Sequence, residues 1–95
     1  MKFRKKPVVV DAWQWLFAEG GERPPSWMND ALAKWPEVGG AIFEPDYPGG
    51  ARILIVTPEG PHIASAGDWI IRGVKGEICP VKDEMFRETY ESVEA

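Results

Sequence analysis

The sequence predicts an α+β fold: a small twisted antiparallel β-sheet or partly closed β-barrel, one main helix over about residues 26–35, and a short C-terminal helix. Three observations predict it. Short β-branched and aromatic runs recur between Gly and Pro turns, one segment places apolar residues at helical spacing, and 95 residues leave room for one core. The chain is read as a single domain, residues 1–95. A domain of this size hides only about 60–65% of the surface its unfolded chain exposes, so its stability comes from dense packing or from self-association into a homo-oligomer. Five Trp, four Phe and two Tyr supply the density, each large ring burying about 150–250 Å².

The first element is Val8 to Trp15, a β-branched and aromatic run with alternation in its second half. In a strand, Val9, Asp11, Trp13 and Trp15 share one face, while Val8, Val10, Ala12 and Gln14 share the other. Gly20, Gly21, Pro24 and Pro25 form a loop, and Ser26 is placed to cap a helix whose stripe is Trp27, Met28, Ala31, Leu32 and Trp35. Pro36 and Gly39-Gly40 end it. Ala41 to Phe43 reads as a short strand, and Pro45 to Gly50 as a loop. Arg52 to Thr57 is a buried strand, with His62 to Ser65 its hairpin partner across Pro58-Glu59-Gly60-Pro61. After Ala66-Gly67-Asp68 come strands Trp69 to Val74 and Glu77 to Val81, then a helix from Asp83 to Glu88 and an extended piece from Thr89 to Val93.

The net charge of −4 is unevenly spread. Lys2, Arg4, Lys5 and Lys6 crowd the N-terminus, whereas from Lys82 onward only Lys82 and Arg87 face Asp83, Glu84, Glu88, Glu91 and Glu94. A short basic run beside an acidic body makes a poor general nucleic-acid surface. The single Cys79 permits no internal disulfide and fits a reducing compartment. With no apolar stretch of membrane or signal-peptide length, the expected location is the cytoplasm, without membrane contact.

Few residues suggest chemistry. His62 is the sole histidine, and Ser65 lies three positions on, where strand alternation sends it to the opposite face. A small enzyme built on His62 is therefore the weakest functional reading, and no catalytic residue is assigned. One Cys and one His cannot supply a zinc site, the acids lack calcium-loop spacing, and the glycine pairs lack a phosphate-loop continuation, so no metal or cofactor is expected. Cys79 reads as a buried, inert thiol. Asp68 can accept backbone amides in the Gly67-Asp68 turn. Arg72 emerges among apolar residues, either in an ion pair with Asp68 or Glu77 or as a clamp for phosphate or carboxylate. Three tryptophans, Trp27, Trp35 and Trp69, read as core. That leaves Trp13 and Trp15 available for a ligand, with Arg52, Asp68 and Arg72 as the accompanying candidates.

The run Lys2-Phe3-Arg4-Lys5-Lys6-Pro7-Val8-Val9-Val10-Asp11-Ala12 and the block Gly67-Asp68-Trp69-Ile70-Ile71-Arg72-Gly73-Val74-Lys75-Gly76-Glu77, with Phe86 and Thr89-Tyr90-Glu91, resemble a family of small phage and prophage proteins of uncharacterised function. The resemblance covers about residues 2–15 and 65–91. The chain departs from it at Ala66, where the family has proline, at Ile78-Cys79-Pro80-Val81, where the cysteine precedes the proline while the family's follows it, and at Asp83-Glu84, where the family's short helix starts with proline. What it implies is a phage context and a small β-rich fold, with no catalytic residue to carry over. The expected function is an accessory binding protein, for which counter-defence by capture of a nucleotide-like host immune signal is the leading form. The alternative is a protein-interaction module that inhibits or adapts a host or virion protein.

Overall fold

The computed structural model describes residues 1–4, 6–16 and 21–93. Lys5 of the basic run, Gly20 of the first loop and Glu94 of the acidic tail lie outside them. Among the described residues the chain forms β1 (Asp11–Gln14), α1 (Ser26–Lys34), β2 (Ala41–Glu44), β3 (Arg52–Thr57), β4 (Gly60–Ser65), β5 (Trp69–Arg72), β6 (Ile78–Val81) and α2 (Asp83–Thr89). The fold is α+β. Its strands form two three-stranded antiparallel sheets, ordered β1-β5-β6 and β2-β3-β4, and do not close into a barrel.

The sheets face each other, with β6 packed on β3 and β4 and with α1 beside β2. Alternation in β3 sends Ile53 and Ile55 inward, where they meet Trp13, Trp15, Met28, Ala31, Ala41, Ala64, Ile70 and Ile78. On the other face of the first sheet α2 meets one end, where its Phe86 stacks on Trp69.

Several boundaries differ from the sequence reading for local reasons. The first strand begins at Asp11 instead of Val8, because its partner β5 ends at Arg72, opposite Asp11. There Gly73 to Glu77 turns back, with the Gly76 N–H donating to the Gly73 carbonyl at 3.0 Å and the Gly73 N–H to the Glu77 carbonyl at 2.8 Å. Val8 to Val10 consequently extend beyond the sheet. Ser26 is the first helical residue rather than the cap. Pro25 takes the cap position with extended backbone and no side-chain bond, its carbonyl accepting the Met28 and Asn29 N–H groups. Residues 90–93 continue from α2 without regular structure.

The turn after α1 is closed by contacts that admit no side chain at Gly40. Its N–H donates to the Glu37 carbonyl at 2.8 Å, and its own carbonyl accepts the Val56 N–H at 2.9 Å. A Cβ there would stand 2.7 Å from Lys34 C and Trp35 N and 2.8 Å from Glu37 O. All three are backbone atoms that cannot yield as a flexible side chain can. Gly40→Ala is expected to lower stability by about 1–3 kcal/mol in urea unfolding, the usual cost of overpacking.

Candidate functional site

Antiparallel pairing of β1 with β5 decides what each aromatic does. Trp13 sits opposite Ile70 and Gln14 opposite Trp69, so the indoles of Trp13 and Trp69 stand on opposite faces of one sheet. The Trp13 face is the core. Trp13 and Trp15 are each 5% exposed; the Trp13 indole N–H donates to the Glu22 carbonyl at 3.1 Å, and Trp15 meets Phe43 edge-on at 5.8 Å. The expectation that this pair stands free for a ligand is corrected. Their strand face is the inner one, and apolar residues from both sheets cover it.

The tryptophans read as core are the more accessible ones. Trp27 is half-buried against the core, and Trp35, one residue past the end of α1, is 36% exposed. Trp69 lies half-buried on the outer face. Its ring stacks on Phe86 at 3.9 Å and 10°, and Phe86 stacks on Tyr90 at 5.1 Å and 21°. Tyr90, the residue that follows α2, gives its N–H to the Phe86 carbonyl at 2.9 Å, which keeps it beside Phe86. The column of three rings lines a groove of about 300 Å³ whose opposite wall is Val8, Val9 and Val10. A continuation of this groove reaches Lys6 and Pro7 on one side and Glu91 on the other.

Asp83, at the start of α2, fixes the column. Its Oδ1 accepts the Trp69 indole N–H at 2.8 Å, Arg87 Nε at 3.0 Å and Gln14 Nε2 at 3.3 Å. The indole donor and, after it, Arg87 hold the carboxyl below its ordinary value. Position also favours it, since a carboxylate in the first turn complements the helix dipole.

The other candidate residues are not gathered at this groove. Asp68 is buried, accepting the Ser65 N–H at 2.8 Å and Lys82 Nζ at 2.9 Å through Oδ2. Arg72 pairs with neither Asp68 nor Glu77. The register sets Asp11 opposite it, and that carboxylate takes both Nε, at 3.1 Å, and Nη2; the Trp27 ring lies 5.6 Å from its guanidinium carbon. Arg52 is on the second sheet, paired with Glu44 at 2.8 Å. His62 lies on β4 opposite Ile55. Cys79 is exposed on β6, not buried, although partial burial and then Glu77 raise its thiol above the ordinary value.

Sequence reasoning missed Trp69, Phe86 and Tyr90 as a unit. The four-residue spacing of the last two, at the end of the short helix, was a usable signal. Among the described residues no helix is long and apolar enough to cross a membrane. No protein-family model matches the chain, and neither does any curated protein or solved structure.

Asp83 carries a stability signature of definite sign. A carboxyl whose folded value lies below its unfolded one, near 3.8, contributes stability in full above that value and loses it as pH falls through the folded value. Urea unfolding between pH 7 and pH 2.5 is expected to show this acid limb flattened in Asp83→Asn, with the Trp69 indole N–H resonance displaced already at pH 7.

Proposed function

We propose that this chain is a small phage or prophage accessory protein that acts by binding, and that the groove beside the Trp69–Phe86–Tyr90 column takes the planar base of a nucleotide-like ligand. The column carries this reading. Three half-buried rings line a groove of about 300 Å³, and a base stacked on an aromatic ring gains about 1–3 kcal/mol without hydrogen-bond readout. Phosphate would be met from the N-terminal side. Lys6 stands at the mouth of the groove, and Lys2, Arg4 and Lys6 form no ion pair among the described residues. In a phage setting, the ligand class would be a cyclic or ADP-ribose-type nucleotide used by the host as an immune signal, sequestered rather than altered.

A second reading has its own support. Val8 is 52%, Val9 73% and Val93 70% exposed, and Val8 to Val10 run past the end of the sheet with no backbone partner among the described residues. An extended segment of a host or virion protein could add alongside them and place an apolar side chain in the groove.

Titration of cyclic and ADP-ribose-type nucleotides, followed by tryptophan fluorescence and calorimetry, separates the two. The nucleotide reading expects saturable binding by at least one of them. Tyr90→Ala should weaken it about tenfold, the effect of losing one stacking partner, and Lys6→Ala should reduce its salt dependence. No detectable affinity across the panel would remove this reading and leave the protein-interaction one.

A further inference from the structure

On the second sheet, Arg52 is fixed from three directions. Its Nε donates to Glu44 Oε1 at 2.8 Å across the β2–β3 pair, its guanidinium carbon lies 3.4 Å from the centre of the Tyr47 ring, and its side chain is only 18% exposed. Tyr47 is held there by a tight turn. The Gly50 N–H donates to the Tyr47 carbonyl at 2.9 Å, and Pro48-Gly49 occupy the centre, with Gly49 at φ +95° as such a turn requires. Only Nε is engaged. Neither terminal nitrogen of Arg52 has a hydrogen-bond partner among the described residues, and neither is sealed from solvent.

Arg52 borders an open hollow of about 560 Å³ between the Tyr47–Gly50 turn and the end of β4. Ser65 borders the same hollow and is the direct cross-strand neighbour of Arg52, which puts its hydroxyl on the same face of the sheet. Its backbone N–H is already given to Asp68, so the hydroxyl is its remaining donor. An immobilised guanidinium fork with a hydroxyl beside it matches a planar oxyanion. Glu44 decides which kind. It neutralises the arginine, so the site offers donor geometry without net positive charge and disfavours a dianion.

We propose that the hollow beside Arg52 is a carboxylate-binding site, in which the two terminal guanidinium nitrogens and the Ser65 hydroxyl hold the singly charged carboxylate of a small molecule or peptide terminus. The site shares no lining residue with the aromatic groove and stands independently of what that groove binds.

The test is an NMR titration of the labelled protein with acetate and, separately, inorganic phosphate at constant ionic strength. Acetate is expected to produce saturable shifts at Arg52 and Ser65 at lower concentration than phosphate. Arg52→Lys, which keeps the charge but loses the fork, should weaken acetate about tenfold. Ser65→Ala, which leaves the Arg52–Glu44 pair intact, should weaken it less. Glu44→Gln should reverse the order and favour phosphate. Absence of saturable shifts, or equal acetate binding in the folded Arg52→Lys and Ser65→Ala variants, would overturn the site; phosphate binding ahead of acetate in the unaltered protein would overturn the carboxylate assignment.

Discussion

Everything else in this fold hangs on the corner at Gly67-Asp68, where the chain leaves the second sheet and enters the first. Asp68 is buried there and uses one carboxylate oxygen for both the Ser65 N–H and the Lys82 ammonium. The backbone closes the same knot: the Asp68 carbonyl accepts the Trp15 N–H at 2.9 Å, and the Gly67 N–H donates to the Trp15 carbonyl at 2.7 Å. One residue thus ties the end of β4, the end of β1 and the segment leading from β6 into α2. A buried carboxylate is tolerable only because the Ser65 N–H and the Lys82 ammonium are both aimed at it.

The corner also sets the phase of β1 against β5, and phase is what sorts the tryptophans. With Trp15 clamped beside Asp68, Gln14 falls opposite Trp69 and Trp13 opposite Ile70. A slip of one residue would exchange the two faces. It would bring Trp13 out and turn Gln14, whose Nε2 donates to Asp83 at 3.3 Å, inward. The burial of Trp13 and the Gln14 contact to the start of α2 are therefore two consequences of a single register.

Much of this was legible in the sequence. Strand alternation correctly grouped Trp13 with Trp15 and set Gln14 on the other face, turn chemistry located the Asp68 corner, and helical spacing located the main helix. What alternation cannot state is which face turns inward, because that depends on the partner strand. The apolar character of Trp69-Ile70-Ile71 fits either assignment, since β5 turns Ile70 to the core on one side and sets Trp69 against Phe86 of α2 on the other. Arg72 was open for the same reason: its ion-pair partner Asp11 is 61 positions away and is supplied by register alone. The sequence distinguished the elements; pairing distinguished their faces.

The functional reading inherits that dependence, since the groove exists only while β1, β5 and α2 keep their mutual positions. Equilibrium urea unfolding of Asp68→Ala tests it most directly, because the substitution removes the side-chain acceptor and strands the Ser65 N–H. The expected loss is about 1–3 kcal/mol. Stability equal to that of the unaltered protein would contradict it, showing that the two sheets hold their register without the corner.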